Sequence, residues 1–77
     1  MKDALHFLVA SIVDNTDALT VEESEQEGVV EFVIHVAKED MGKVIGKEGK
    51  VIRAIRNVMK IPAIKQHKKI HISIAEE

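Results

Sequence analysis

Apolar and polar positions change period along the chain, and each change marks a different kind of element. From Asp3 to Asp14, Leu5, Leu8, Val9 and Ile12 recur at three- and four-residue spacing, which predicts an amphipathic helix with one apolar flank. His6 falls between these positions and reads as a structural or solvent-facing side chain. Asp14-Asn15-Thr16-Asp17 then supplies short polar side chains that compete for backbone hydrogen bonds, which predicts a stop and a turn. Leu19 and Val21 alternate with Thr20 and Glu22 as a short first strand, and Glu23 to Gly28 reads as an acidic, flexible connection. The clearest strand runs from Val29 to Val36. Val30, Phe32, Ile34 and Val36 share one face, and Val29, Glu31, Val33 and His35 share the other.

Asp40 precedes Met41 to Ile45, a short helix whose first turn the aspartate would cap. Gly46-Lys47-Glu48-Gly49 interrupts it. A longer helix should begin at Lys50 and end near Ile61, with Ile52, Ile55, Val58 and Met59 toward the core. At roughly 100 degrees per residue, Arg53, Arg56 and Lys60 gather on a separate basic flank with Lys50 near its margin. Pro62 lacks an amide hydrogen and crowds the preceding turn, so it should interrupt the helix and leave a short turn around Ala63 to Gln66. Ile70, His71, Ile72, Ser73 and Ile74 alternate as a final strand with three isoleucines inward. The predicted order is helix, strand, strand, short helix, helix, strand: an α+β fold in which helices pack on one face of a three-stranded sheet.

Seventy-seven residues confine this order to one domain, residues 1–77. Phe7 and Phe32 are the only aromatic residues, so the core must be aliphatic, and the absence of cysteine excludes a disulfide framework or a thiolate metal site. No apolar run approaches the roughly 20 residues of a spanning helix, and Lys2-Asp3 opens no apolar leader, so the expectation is a cytoplasmic protein without membrane insertion.

The net charge of -2 conceals a polarity along the chain. Residues 1–40 hold two lysines against ten acidic residues, whereas residues 41–77 hold nine lysines and arginines against three acids. Between Lys43 and Lys69, Glu48 is the only acid, which suits that stretch to attracting a phosphate backbone.

Candidate chemistry narrows the field further. Gly46 and Gly49 bracket Lys47 and Glu48, a spacing that lets a loop turn tightly and approach a partner closely. Amides at the start of the following helix, with its positive dipole end, suit phosphate oxygens, and Lys43, Lys47 and Lys50 add longer-range attraction. A nucleotide-binding phosphate loop is excluded: three residues rather than four separate Gly42 from Gly46, and Glu48 stands where the magnesium-binding hydroxyl belongs. The dinucleotide-binding pattern needs a third glycine and a longer strand-helix-strand unit. His67 and His71 are four apart, but the second falls on the final strand, so helical zinc geometry is not expected. No acid/base pair or nucleophile triad can be assembled. The expectation is a protein that is not an enzyme and carries no cofactor or metal.

Val44-Ile45-Gly46-Lys47-Glu48-Gly49-Lys50-Val51-Ile52 resembles the signature loop and adjoining helix of KH RNA-binding domains. The element order is similar to the type II arrangement. The resemblance extends over nearly the whole chain to small stand-alone bacterial KH proteins, through Leu8 to Asn15, Glu39 to Gly46 and Arg53-Ala54-Ile55-Arg56. Ile61-Pro62-Ala63-Ile64 departs from the alanine-rich helical continuation of close relatives. The resemblance implies an RNA chaperone or post-transcriptional regulator that forms homodimers and acts with a larger KH-containing partner of the KhpB/Jag kind. It also implies that Gly46, Lys47, Glu48 and Gly49 hold the backbone of single-stranded RNA, with Ile45 and Ile52 in or beneath the groove and Arg53 and Arg56 as peripheral phosphate contacts. Lys43 and Lys50 flank the loop. The competing expectation is a protein interaction module, docking through the Val29/Val33 face or around Ile61 to Ile64, whose larger partner makes most RNA contacts.

Overall fold

The computed structural model describes residues 1–75. Three helices lie on one face of a three-stranded sheet, in the order α1 (Lys2–Ala10), β1 (Thr20–Gln26), β2 (Val29–His35), α2 (Met41–Ile45), α3 (Lys50–Lys65) and β3 (Lys69–Ile74). β2 is central; β1 pairs with it antiparallel and β3 parallel. The α+β class and the element order are as the sequence pattern predicts. The parallel pair requires a crossover, and α2 and α3 provide it across the core face.

The alternation of β2 sets the core. Val30, Phe32 and Ile34 are buried beneath the helices and meet Ile72 of β3, Val21 of β1, Leu5 and Val9 of α1, Val44 of α2 and Ile52, Ile55 and Met59 of α3. Phe32 is wholly buried, whereas Phe7 lies on the exposed side of α1. Ile70 and Ile74 pack partly buried against the same cluster.

Four local expectations are corrected. Helix α1 ends at Ala10 rather than Asp14, because the amides of Ile12 and Val13 both turn back to the Val9 carbonyl. Glu23 to Gln26 is not a flexible connection but the continuation of β1, registered opposite Phe32 to Val29. Only Glu27 and Gly28 join the strands, both at positive φ as a tight hairpin turn demands. Helix α3 does not stop near Ile61: it runs through Pro62 to Lys65, and the Gln66 amide donates to the Pro62 carbonyl. Proline removes one donor, whereas Met59 and Ala63 on either side of it are buried, so packing carries the helix across. Val58, expected in the core, is 49% exposed.

Candidate nucleic-acid interface

The 46–49 loop connects α2 to α3, and steric packing requires its first glycine. Gly46 has φ 75° and ψ 171°, and a Cβ there would meet Val51 Cγ2 at 2.3 Å and the Val51 backbone nitrogen at 2.8 Å. The loop therefore lies directly against the first turn of α3. Gly49 enters that helix from the left-handed region, and Glu48 shares it at φ 58° and ψ 24°. The Gly49 amide donates to the Gly46 carbonyl and the Lys50 amide to the Lys47 carbonyl, so the turn closes on itself. Two amides offered to phosphate by sequence reasoning are thus already engaged. Lys47, Glu48 and Lys50 are exposed around the turn, and no side chain caps the positive end of α3.

The other predicted site residues are brought to this end of the molecule in different roles. Ile52 is buried under the loop and Ile45 is 38% exposed beside it. Lys43, on the last turn of α2, is paired with the Asp14 carboxylate, and that hydrogen bond is the main cause of its raised pKa. Arg53 donates from Nη2 to the Glu48 carbonyl at 2.7 Å and from Nε to the Gly49 carbonyl at 3.3 Å. Arg56 reaches the sheet, donating from Nη2 and Nε to the Ile72 carbonyl at 3.0 and 3.3 Å.

The Arg56 contact lies at the open edge of β3. The Lys69 amide donates to Gly28 and the Ala75 amide to Ile34, so alternate residues of β3 face β2. Ile70 and Ile72 accordingly turn their backbone groups outward. A groove of about 240 Å³ follows this edge, lined by Arg56, Lys60, Ile70, His71 and Ile72. A second, of about 340 Å³, shares Lys60 and Ile70 and adds Ala63, Ile64, Lys68 and Lys69. The predicted basic flank includes Lys60, whereas Lys68, Lys69 and His71 reach it only in the fold. The alternation of β3 was legible, but its parallel pairing beside α3 was not. A larger hollow of about 430 Å³ lies at the hairpin, where Glu27 and Glu31 disfavour an anionic ligand.

Asp40 is the one buried charged residue among those described, and it does not cap α2. Its carboxylate instead accepts from the Asp14 amide at 3.2 Å and the Asn15 amide at 3.0 Å, tying the end of the α1 turn to the start of the loop-bearing hairpin of helices. The Asn15 hydrogen bond holds the Asp40 carboxyl below its usual range against the opposing effect of burial, with the Asp14 amide and the Lys43 charge reinforcing it. Among the described residues, no group of three or more histidine, aspartate or glutamate side chains is placed to hold a metal, and no helix is long and apolar enough to cross a membrane.

Residues 2–74 match the family model for the KH domain of KhpA and KhpB. The chain is 42% identical to the RNA-binding protein KhpA of Clostridium acetobutylicum over 74 residues, covering 96% of this chain and 99% of the relative. It is 40% identical to the RNA-binding protein KhpA of Clostridium perfringens over the same shares. The RNA-binding protein KhpA of Chlamydia caviae is 34% identical over 77 residues, covering 100% of this chain and 99% of the relative. No solved structure matches.

Proposed function

The chain belongs to the KhpA/KhpB family of KH domains, and from that premise we propose that it binds single-stranded RNA through the 46–49 loop and the basic groove beside it, without catalysis. The observation that carries this reading is the loop itself. Gly46 packs so closely on Val51 that the chain must pass tightly over the α3 N-terminus, with Lys47 and Lys50 exposed at the turn. The positive end of α3 and these two lysines attract a phosphate backbone. From there the RNA follows Arg56, Lys60 and Lys69 along the groove, past Lys68, which pairs with Glu25, and the outward-turned backbone of Ile70 meets base edges. Aromatic stacking plays little part, since Phe32 is buried and the exposed Phe7, on α1, lines neither groove. Such binding suits an RNA chaperone or post-transcriptional regulator in the cytoplasm.

A second surface supports assembly. Val58, Ile61 and Ile64 recur every third residue on the outer side of α3 and are 49, 60 and 71% exposed. We assign this ridge to a homodimer or to a larger KH-containing partner of the KhpB/Jag kind. The Val29/Val33 face is less suited, because Val33 is half-buried and Glu31 stands between the two valines.

The test of RNA binding is a titration of labelled mixed-sequence single-stranded RNA at controlled salt. The companion variant carries Lys47→Asp with Glu48→Asp and is checked for folding by circular dichroism. Loss of binding in the variant alone supports the loop; equal binding removes RNA recognition from it. No binding by either protein favours the interaction-module reading.

A further inference from the structure

Glu48 occupies the left-handed region, which a residue with a Cβ disfavours. Its peptide neighbours are held from two sides. On one side, the Gly49 amide donates to Gly46 and the Lys50 amide to Lys47. On the other, the Arg53 guanidinium spans the two carbonyls of the same peptide units, Glu48 and Gly49, at 2.7 and 3.3 Å. A planar fork with several donors can hold two carbonyls at once, whereas an ammonium on a flexible stem cannot fix both. Arg53 lies one turn into α3, whose own backbone is rigid, so the brace is anchored outside the loop it holds.

We propose that Arg53 is a positioning residue that locks the exit of the 46–49 loop, holding Glu48 left-handed so that Lys47 and the start of α3 are arranged before RNA arrives. The family resemblance implies Arg53 as a peripheral phosphate contact. Two of its donors are instead directed at neutral carbonyls, and at the loop itself the lysines that face phosphate are Lys47 and Lys50. This inference rests on the RNA-binding reading above and assigns a further residue within the same site. A loop without the brace populates its binding-competent form less, which lowers apparent affinity by that fraction.

The experiment compares wild type, Arg53→Lys, Arg53→Ala, and Arg53→Ala combined with Glu48→Asn. RNA titrations over a range of salt are paired with hydrogen exchange of the Gly49 amide, measured by NMR without RNA. Arg53→Lys and Arg53→Ala should each weaken binding about tenfold and speed exchange at Gly49. Adding Glu48→Asn, a residue that tolerates the left-handed region, should recover a severalfold share of the affinity and slow exchange again. The proposal is overturned if Arg53→Lys binds like wild type while Arg53→Ala reduces the salt slope by about 0.7, the signature of a lost phosphate contact. Unchanged exchange at Gly49 in both single variants also overturns it. The variant with Lys47→Asp and Glu48→Asp separates the two readings. If it still binds RNA, the loop reading fails, and the exchange measurement alone decides whether Arg53 braces the turn.

Discussion

Gly46 shows how a single residue governs the site. Methyl insertion there meets Val51 at 2.3 Å and also forces a side chain into positive φ. Gly46→Ala should therefore destabilise the fold by about 2–4 kcal/mol, read from chemical denaturation. Gly49→Ala, whose Cβ would meet nothing closer than Ile52 Cγ2 at 4.0 Å, carries only the backbone strain, about 1 kcal/mol. The GxxG spacing announced both positions, but their inequality depends on where Val51 sits. Asp40 gives the opposite lesson. Its identity invited a capping role one residue ahead, yet its carboxylate serves two amides 25 and 26 residues earlier. Because its folded pKa is depressed, the stability it contributes is fully present above the unfolded value. It is lost as pH falls through the lower folded value. Acid unfolding followed by circular dichroism below about pH 4 should be less steep in Asp40→Asn than in wild type.

At the scale of elements, turn and cap chemistry decide what periodicity leaves ambiguous. Helix α3 ends in paired bonds, the His67 amide to Ile64 and the Lys68 amide to Ala63, with His67 at φ 56°. This is the arrangement in which glycine is the favoured residue. His67→Gly should stabilise the protein by about 0.5–1 kcal/mol in thermal or chemical denaturation, the gain from relieving a left-handed side chain. The hairpin at Glu27-Gly28 was hidden for a related reason. β1 is an edge strand whose outer residues are glutamates, serine and glutamine, so its last four positions carry no apolar alternation. Their strand character comes from the ladder to β2, a partner that composition does not disclose. At Pro62 the local penalty is outweighed by burial of Met59 and Ala63, which the linear pattern does not display.

For the whole molecule, the charge polarity of the chain is divided among elements, with the Asp14–Lys43 and Glu25–Lys68 pairs joining the two halves. The acidic first half supplies β1 and the hairpin, and the basic second half supplies the loop, α3 and the start of β3. Association with RNA should weaken steeply with salt, with a slope of about -3 in log K against log salt if roughly four phosphates are engaged. An equally long duplex should bind less well in the same titration. The apolar ridge of α3 supplies a separable prediction. If the ridge pairs two copies of the chain, Ile61→Asp should leave monomer in analytical ultracentrifugation with unchanged circular dichroism, since Ile61 is 60% exposed.

Periodicity by itself determined the element order, the helices-over-sheet architecture and the apolar side of β2, because side-chain period is a local property of helix and strand. Spacing likewise located the glycine loop, and the order of charges foretold a basic second half. Tertiary structure alone decided that Arg53 and Arg56 turn to carbonyls, that Asp40 serves the α1 turn, and that Lys68 and Lys69 join α3 at one groove. It also placed Val58 outside and carried α3 through Pro62. Each of these depends on which distant segment arrives as a neighbour. A hydrogen-bond donor or an apolar side chain has no fixed role until packing chooses its partner.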